Sequence, residues 1–446
     1  MKGKIAILGA GISGIGAAIL AKKKGYDVWV SDKNKIKEPH KKVLKNIEVA
    51  FEENKHSENE ILSSDIVIVS PGIPLNAPII SKIRESQIRL ISEIEFASWF
   101  AKGKIIAITG SNGKTTTATL LHHILVNSKI DAELCGNVGN SFAKSVADGQ
   151  HDYWVVEVSS FQLDTMEKFK PYVAILTNIT PDHLDRYEGK FENYVRSKFK
   201  IAQNQDNTDY LIYCNEDHAT TTNITKMQIK SNLLSFGIQR FDNSNAYVQD
   251  NKIKIEINNT KFDMKIEELA LQGSHNVYNT MAAGIASKMI NVRNESLKSA
   301  LATFENIPHR LEFVAKISGV TYINDSKATN VNSSWYALET MPNDGVIWIV
   351  GGVDKGNDYH KLKALVDKKV ISVIALGVDN DKIIEEFSPL VKSIYSTSSM
   401  EQAVLTAYQI ATKGNTVLLS PACASFDLFE NYEHRGNMFK KIVRAL

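Results

Sequence analysis

Residues 104–117, KIIAITGSNGKTTT, constrain this chain more than any other stretch. Ile105, Ile106 and Ile108 make a β-branched apolar run that predicts a buried strand. Gly110, Ser111, Asn112 and Gly113 form a turn. Lys114, Thr115, Thr116 and Thr117 then open a helical pattern carried on by Leu120, Leu121, Ile124 and Leu125. A strand that hands a glycine-rich turn to a helix N-terminus is a phosphate cradle, because main-chain N–H groups and the helix dipole face anionic oxygens. Lys114 would add a positive charge, and the Thr115 hydroxyl can ligate Mg²⁺. The spacing departs from the usual phosphate loop, whose first glycine would fall at Ile108. An ordinary strand–turn–helix corner with a solvated lysine is the competing reading.

A chain of 446 residues has room for about three domains. Its formal net charge of +2 gives no electrostatic case for nucleic acid or membrane as the main partner. Cys135, Cys214 and Cys423 are far apart, show no metal-ligand spacing and suit a reducing compartment. Lys2 and Lys4 ahead of an apolar run look superficially like a signal peptide. Gly9, Gly11 and Gly14 interrupt that run where a tight turn would sit, so a cytoplasmic protein is expected.

Residues 1–101 read as a first α/β domain. Lys4 to Leu8 is a strand, Gly9 to Gly14 a turn, and a helix runs on to Lys24. Val28 to Val30 is the next strand and ends at Asp32. This GxGxxG pattern with an acidic residue after the second strand places a diphosphate on the turn and a sugar or base at Asp32. NAD, FAD and a nucleotide sugar all satisfy it, and a purely structural glycine turn also remains open. Ile66 to Val69 predicts another buried strand, which runs into Ser70-Pro71-Gly72.

Residues 102–306 hold the phosphate loop. The strand 152–158 carries Glu157, and a carboxylate inside a buried strand suits a second Mg²⁺ contact. Val173 to Leu176 is a further strand, ending in a loop that contains His183. Lys198 falls in a helical segment and on pattern alone is a solvated lysine. From Asn245 to Glu268 the period becomes two, with a turn at Asn258-Asn259, which predicts an added antiparallel hairpin. Asn276 lies at the start of the next helix, where it could be a cap. Residues 307–446 return to α/β alternation, with strands at 319–323, 346–350, 370–376 and 416–420. Three polar loops at strand C-terminal ends define a ligand edge there.

Taken in order, GAGISG, SPGIP, TGSNGKTTT, GNVGN, EVSSFQL, NITPDHLDRY, GSHNVYN, HRLEFV, NDSKATN, GGVDKG and SPACASFD resemble the Mur ligase family of peptidoglycan precursor synthesis over nearly the whole chain. EVSSFQL, SPACASFD and the short Rossmann-like first domain resemble its D-glutamate-adding branch. The resemblance implies three α/β domains: a Rossmann-like one for UDP-N-acetylmuramoyl-L-alanine, a central phosphate-loop one for ATP, and a Rossmann-like C-terminal one for D-glutamate. It implies an ATP-dependent ligation through an acyl phosphate and a tetrahedral intermediate, with ATP and two Mg²⁺ sites, acting as a monomer. Gly110, Ser111, Asn112, Gly113, Lys114, Thr115, Thr116, Asn276, Arg310 and Asp325 would meet ATP. Ser13, Asp32, Ser70, Pro71, Gly72, Asn137, Ser159 and Gln162 would hold the UDP substrate. Lys327, Thr329, Lys355, Ser425 and Phe426 would surround D-glutamate. Lys114, Glu157, His183 and Lys198 would be catalytic, with Thr115, Glu157, His183 and a carbamylated Lys198 on metal.

Two neighbouring readings stay inside the superfamily: a different amino-acid acceptor, or folylpolyglutamate synthase. A nicotinamide or flavin oxidoreductase rests on the first glycine turn alone and leaves 110–117 unexplained. A regulatory nucleotide switch leaves the terminal domains without roles.

Overall fold

The computed structural model describes residues 2–257, 260–304, 308–354 and 356–446. The chain divides into two compact units, Met1–Phe304 and Glu305–Leu446. The first boundary expected from the sequence, 101/102, falls inside the first unit, and the second, 306/307, lies outside the described residues.

The first unit contains two sheets. Strands β1 (Lys4–Leu8), β2 (Asp27–Ser31), β3 (Ala50–Glu52), β4 (Ile66–Val69) and β5 (Arg89–Ser92) pair in the order β3-β2-β1-β4-β5, all parallel. Ile5, Ala6, Ile7 and Leu8 are fully buried, as a central strand covered by helices on both faces requires. The Ile12–Lys23 helix makes the first crossover and buries Ala17, Ala18, Leu20 and Ala21.

The second sheet comprises β6 (Lys104–Thr109), β7 (Ala132–Gly136), β8 (Tyr153–Glu157), β9 (Val173–Leu176), β10 (Tyr210–Cys214), β11 (Asn232–Phe236), β12 (Ser244–Gln249), β13 (Lys252–Ile257) and β14 (Thr260–Lys265). Their order is β14-β13-β12-β11-β10-β9-β6-β8-β7. Pairing is parallel from β7 to β12 and antiparallel from β12 to β14. The period-two stretch therefore forms three strands rather than a lone hairpin. Ile253 pairs with Met264 and Ile255 with Phe262, all on the buried face. The expected turn at Asn258-Asn259 lies outside the described residues.

One hydrophobic core runs through both sheets, joining Ile5, Ile7 and Val30 to Ala107, Trp154 and Leu176. The Glu93–Ser98 and Phe142–Asp148 helices bridge them. Phe142 meets Trp154 edge to face at 5.4 Å, and both are fully buried. Each such side chain stabilises the fold by about 2–3 kcal/mol through burial.

The second unit has one sheet: β15 (Glu312–Ile317), β16 (Val320–Asn324), β17 (Val346–Val350), β18 (Val370–Leu376), β19 (Ser393–Thr397) and β20 (Thr416–Leu419), in the order β15-β16-β20-β17-β18-β19. All pairs are parallel except β15–β16. Strand β17 is buried along its whole length. Trp348 and Val350 enter the core on one face, Ile347 and Ile349 the core on the other. Among the described residues no helix is long and apolar enough to cross a membrane.

Candidate functional site

The phosphate loop forms where the sequence places it. Strand β6 ends at Thr109, and the Lys114–Asn127 helix follows. Gly113 caps that helix at φ +80°, and a Cβ there would stand 2.3 Å from Asn279 Oδ1, so only glycine fits. The loop is stapled to the segment after β9. Ser111 N donates to Asn178 O at 2.8 Å, Asn112 N to Asn178 Oδ1 at 3.0 Å, and Thr177 Oγ1 to Asn112 O at 2.6 Å. Ser111 Oγ donates to Thr180 O at 2.8 Å. Lys114 folds back, its Nζ donating to Gly110 O at 2.8 Å and Ser111 O at 2.9 Å. Thr115 and Thr116 are buried in the first helical turn. Asn276 lies in the same unit, buried near the start of the Ser274–Met289 helix. Its Oδ1 accepts from Asn279 Nδ2 at 3.2 Å, and Asn279 Oδ1 accepts from Thr117 Oγ1 at 3.3 Å.

Lys198 corrects the pattern reading. It is 2 % exposed, not solvated. Its Nζ donates to Gly110 O at 2.7 Å and lies 5.0 Å from the centre of the Tyr194 ring. Burial, then the Lys114 ammonium, push this amine well below its ordinary value, against the opposing pull of Asp182, Glu157 and Asp164. Tyr194 and Lys198 sit four apart on the Phe191–Phe199 helix and so share the face turned to the loop. Glu157 ends β8, 2 % exposed. Its Oε1 accepts from Asn137 Nδ2 at 3.0 Å, while Oε2 is buried without a hydrogen-bond partner. Thr116 Oγ1 is buried in the same condition. His183 holds a left-handed backbone at φ +52°, and its ring meets Phe161 edge-on at 5.2 Å.

These residues fit Mg²⁺. A buried carboxylate oxygen with no donor is costly unless a cation takes it, and oxygen ligands suit this hard ion. Among the described residues no cluster of three or more His, Cys, Asp or Glu could hold a metal. A bound Mg²⁺ would therefore complete its shell with phosphate oxygens and water, its usual habit.

An open cleft of about 980 Å³ lies over the C-terminal ends of the first sheet. Ser13, Asp32, Ser70, Pro71, Gly72 and Asn137 all line it, so six of the eight residues expected for the UDP substrate share one cavity. A Cβ at Gly14 would stand 1.8 Å from Gly9 O, which explains the glycine spacing of the turn. Asp32 is already engaged: Oδ2 accepts from Ala10 N at 2.7 Å and Oδ1 from Asn34 N at 2.8 Å. Ser159 and Gln162 form a capping box on the short Ser160–Leu163 helix. Gln162 Oε1 accepts from Ser159 N and Oγ, both at 2.9 Å.

The remaining expected residues belong to the second unit. Asp325 is buried; Oδ2 accepts from Ser420 Oγ at 2.9 Å and Oδ1 from Leu311 N at 3.2 Å. Burial pushes its carboxyl up to about 6 against the opposing pull of Arg310. Lys327 Nζ donates to Tyr432 Oη at 3.2 Å, and Thr329 is exposed on the same loop. Ser425 is buried, whereas its neighbour Phe426 is 70 % exposed. Lys355 lies outside the described residues.

Two arginines escaped the sequence reading. Arg435 is buried; Nη2 donates to Ser326 O at 2.9 Å and to Cys423 O at 3.2 Å, tying the loop after β16 to the loop after β20. No motif marks it, since it sits in an otherwise amphipathic C-terminal helix. Arg186 packs over Phe161 at 4.3 Å and donates to Ile73 O at 3.2 Å, joining the His183 segment to the Ser70–Gly72 turn. Its place in NITPDHLDRY was the available signal.

A phosphate loop at strand ends, a nucleotide-sized cleft in the same unit and a second α/β unit with its own loop edge define a multidomain nucleotide-binding protein of the phosphate-loop class. Comparison with known proteins narrows that class. The profile of the Mur ligase middle domain matches residues 108–287, that of the Mur ligase glutamate ligase domain 309–423, and that of the MurD N-terminal domain 4–78. The UDP-N-acetylmuramoylalanine–D-glutamate ligase of Christiangramia forsetii is 54 % identical over 99 % of both chains. The protein of the same description from Bacteroides fragilis is 48 % identical over 99 % of this chain and all of its own. Among solved structures, UDP-N-acetylmuramate–alanine ligase MurC from Thermotoga maritima aligns over 99 % of each chain with a TM-score of 0.65 at 18 % identity. The MurF ligase from Thermotoga maritima in complex with ADP covers 87 % of this chain and 91 % of its own, at a TM-score of 0.60 and 17 % identity. At those identities the two structures share the fold. The chain belongs to the Mur ligase family.

Proposed function

We propose that this protein joins D-glutamate to UDP-N-acetylmuramoyl-L-alanine at the expense of ATP, releasing ADP and phosphate, in peptidoglycan precursor synthesis. The observation that carries this reading is the 54 % identity to a D-glutamate ligase across 99 % of both chains. Residues 1–101 would take the UDP substrate, 102–306 ATP and 307–446 D-glutamate.

A carboxylate is too poor an electrophile for an amine at neutral pH. Transfer of the γ-phosphoryl group to it makes an acyl phosphate, the amine of D-glutamate attacks, and the tetrahedral intermediate expels phosphate. Phosphoryl transfer depends on positioning and charge neutralisation. Gly110, Ser111, Asn112, Gly113 and Thr116 would cradle the ATP phosphates, with Lys114 leaving the carbonyls of Gly110 and Ser111 to neutralise them. Mg²⁺, when bound, neutralises the phosphate oxygens further. Thr115 and the unpartnered Oε2 of Glu157 would hold one ion. His183 and Lys198 would hold a second. The depressed Lys198 amine supports carbamylation, since a neutral amine can attack CO₂ and shed a proton to become an anionic ligand. Asn276, Arg310 and Asp325 would bind ATP. Ser13, Asp32, Ser70, Pro71, Gly72, Asn137, Ser159 and Gln162 would bind the UDP substrate. Lys327, Thr329, Lys355, Ser425 and Phe426 would bind D-glutamate, whose carboxylates need cations and N–H or O–H donors.

The enzyme would work as a monomer in the cytoplasm, where its three buried free thiols stay reduced. The test is ATP-dependent phosphate release with UDP-N-acetylmuramoyl-L-alanine and D-glutamate, against L-glutamate, L-alanine, L-lysine and meso-diaminopimelate. Release with D-glutamate alone is expected. Release with another acceptor would move the protein elsewhere in the family.

A further inference from the structure

The cleft over the first sheet contains a relay that no motif announces. The loop after β3 carries His56 into the cleft wall, beside Asp32 and Asn54. His56 Nδ1 lies 2.6 Å from the Oγ of buried Ser31. Ser31 Oγ lies 2.7 Å from Glu52 Oε1 and 3.3 Å from Lys55 O. Glu52 also accepts from Ser57 N at 2.7 Å, and the hydrogen bonds of Ser57 and Ser31 help hold its carboxyl below the ordinary value despite burial. It is therefore a carboxylate with no proton to give, and neither has the Lys55 carbonyl.

The single proton of Ser31 must then point away from the imidazole. Ser31 Oγ can only accept from His56, so Nδ1 carries the hydrogen. Burial holds the ring below its ordinary value, against the pull of Glu52 and Asp32, so it is neutral at pH 7. In that tautomer Nε2 is a bare acceptor, and it makes no hydrogen bond within the described residues. Nearby Asp32 has both oxygens occupied by main-chain N–H groups.

The position of this acceptor selects what it meets. The glycine turn after β1 takes a diphosphate, and the sheet order puts the loop after β3 two strands out from that turn. The lining also includes Asn137, whose Nδ2 donates to Glu157 Oε1 on the phosphate-loop side, where the reacting end of a substrate must lie. The outer wall is left for the base. We propose that His56, oriented by Ser31 and Glu52, is a specificity residue whose Nε2 accepts the imide N–H of a uracil base and rejects cytosine. Cytosine bears no hydrogen on its N3, so it would set acceptor against acceptor. This inference rests on the nucleotide-sugar reading of the cleft.

The experiment is calorimetric titration of the full-length protein with UDP and with CDP. The wild-type protein is expected to prefer UDP by about tenfold or more, the scale of one buried hydrogen bond made against one left unmade. His56→Leu should weaken UDP about tenfold and leave CDP nearly unchanged, collapsing the preference. His56→Gln, which keeps an acceptor on the cleft side, should restore most of it. Ser31→Ala, which keeps the imidazole but frees its ring to turn, should lower it in part. Binding of Mg-ADP to each variant reports an intact first unit. Retention of the preference in His56→Leu, or its absence from the wild-type protein, would overturn the assignment. Failure of UDP to bind the wild-type protein at all would overturn the nucleotide-sugar reading itself.

Discussion

Glu93 should make the first unit lose stability as the pH rises toward 8. Its side chain is 1 % exposed between the Glu93–Ser98 and Phe142–Asp148 helices. One carboxyl oxygen accepts from Ala143 N, and the other is buried with no partner. Burial pushes the carboxyl up to about 8, and the Ala143 N–H only partly offsets that. An unfolded glutamic acid titrates near 4.5. Below that value both states hold the proton and no penalty exists. Between it and about 8 the unfolded chain has released a proton that the folded chain keeps, so stability falls with rising pH by roughly 1.4 kcal/mol per pH unit. Across the whole window the loss is on the order of 5 kcal/mol. Glu93→Gln is neutral throughout and keeps an oxygen for Ala143 N. Its stability should match the wild-type protein at about pH 4.5 and exceed it progressively up to pH 8. Thermal unfolding by calorimetry at matched pH values reads this directly, because all other titrations cancel in the difference. At about 2 °C per kcal/mol the gap in Tm should approach 10 °C at pH 8. A variant that is less stable by the same amount at every pH would refute the reasoning, since it would mean that Glu93 is ionised and paired.

Lys114→Ala should abolish phosphate release while leaving binding of the UDP substrate within a few-fold of wild type; surviving turnover would remove the phosphate-loop assignment. Lys198 should yield a carbamate carbon resonance when the protein is equilibrated with ¹³C-labelled bicarbonate, and Lys198→Arg should lack both that signal and most of the activity. Arg435→Leu strands the carbonyls of Ser326 and Cys423, and should destabilise the second unit by about 2–5 kcal/mol. Its KM for D-glutamate should rise while UDP binding to the first unit stays unchanged, and a calorimetric scan with an unshifted second transition would count against this account.

The elements that the sequence made readable are those whose environment is uniform. Strands β4, β9 and β17 are apolar from end to end, and β18 is so apart from Ser372, because helices cover both faces; each has the bounds predicted from the apolar runs of the sequence. Strands β3, β5, β7, β10, β11, β15 and β19 passed unread, being short or partly exposed. At the site, Gly113 was legible because its backbone conformation excludes other residues. Lys198 was not. A lysine on a helix is usually solvated, and only the hydrogen bond of Lys198 to Gly110 O and the Tyr194 ring beside it decide otherwise. The engagement of Ser159 and Gln162 with each other follows from the capping-box spacing of Ser159-Ser160-Phe161-Gln162. The His56 relay joins residues from the ends of two strands, and neither segment alone hints at the other.

The carbonyl of Gly110 receives two lysine side chains, Lys114 Nζ at 2.8 Å and Lys198 Nζ at 2.7 Å. A nucleotide arriving at this loop thus enters as a replacement ligand, since each contact its phosphates gain with Lys114 is matched by one the backbone gives up. The heat released on binding should accordingly be small, and the driving force should come largely from water and counterions set free. The loop keeps its shape before the nucleotide arrives because its own carbonyl oxygen stands in for the incoming phosphate.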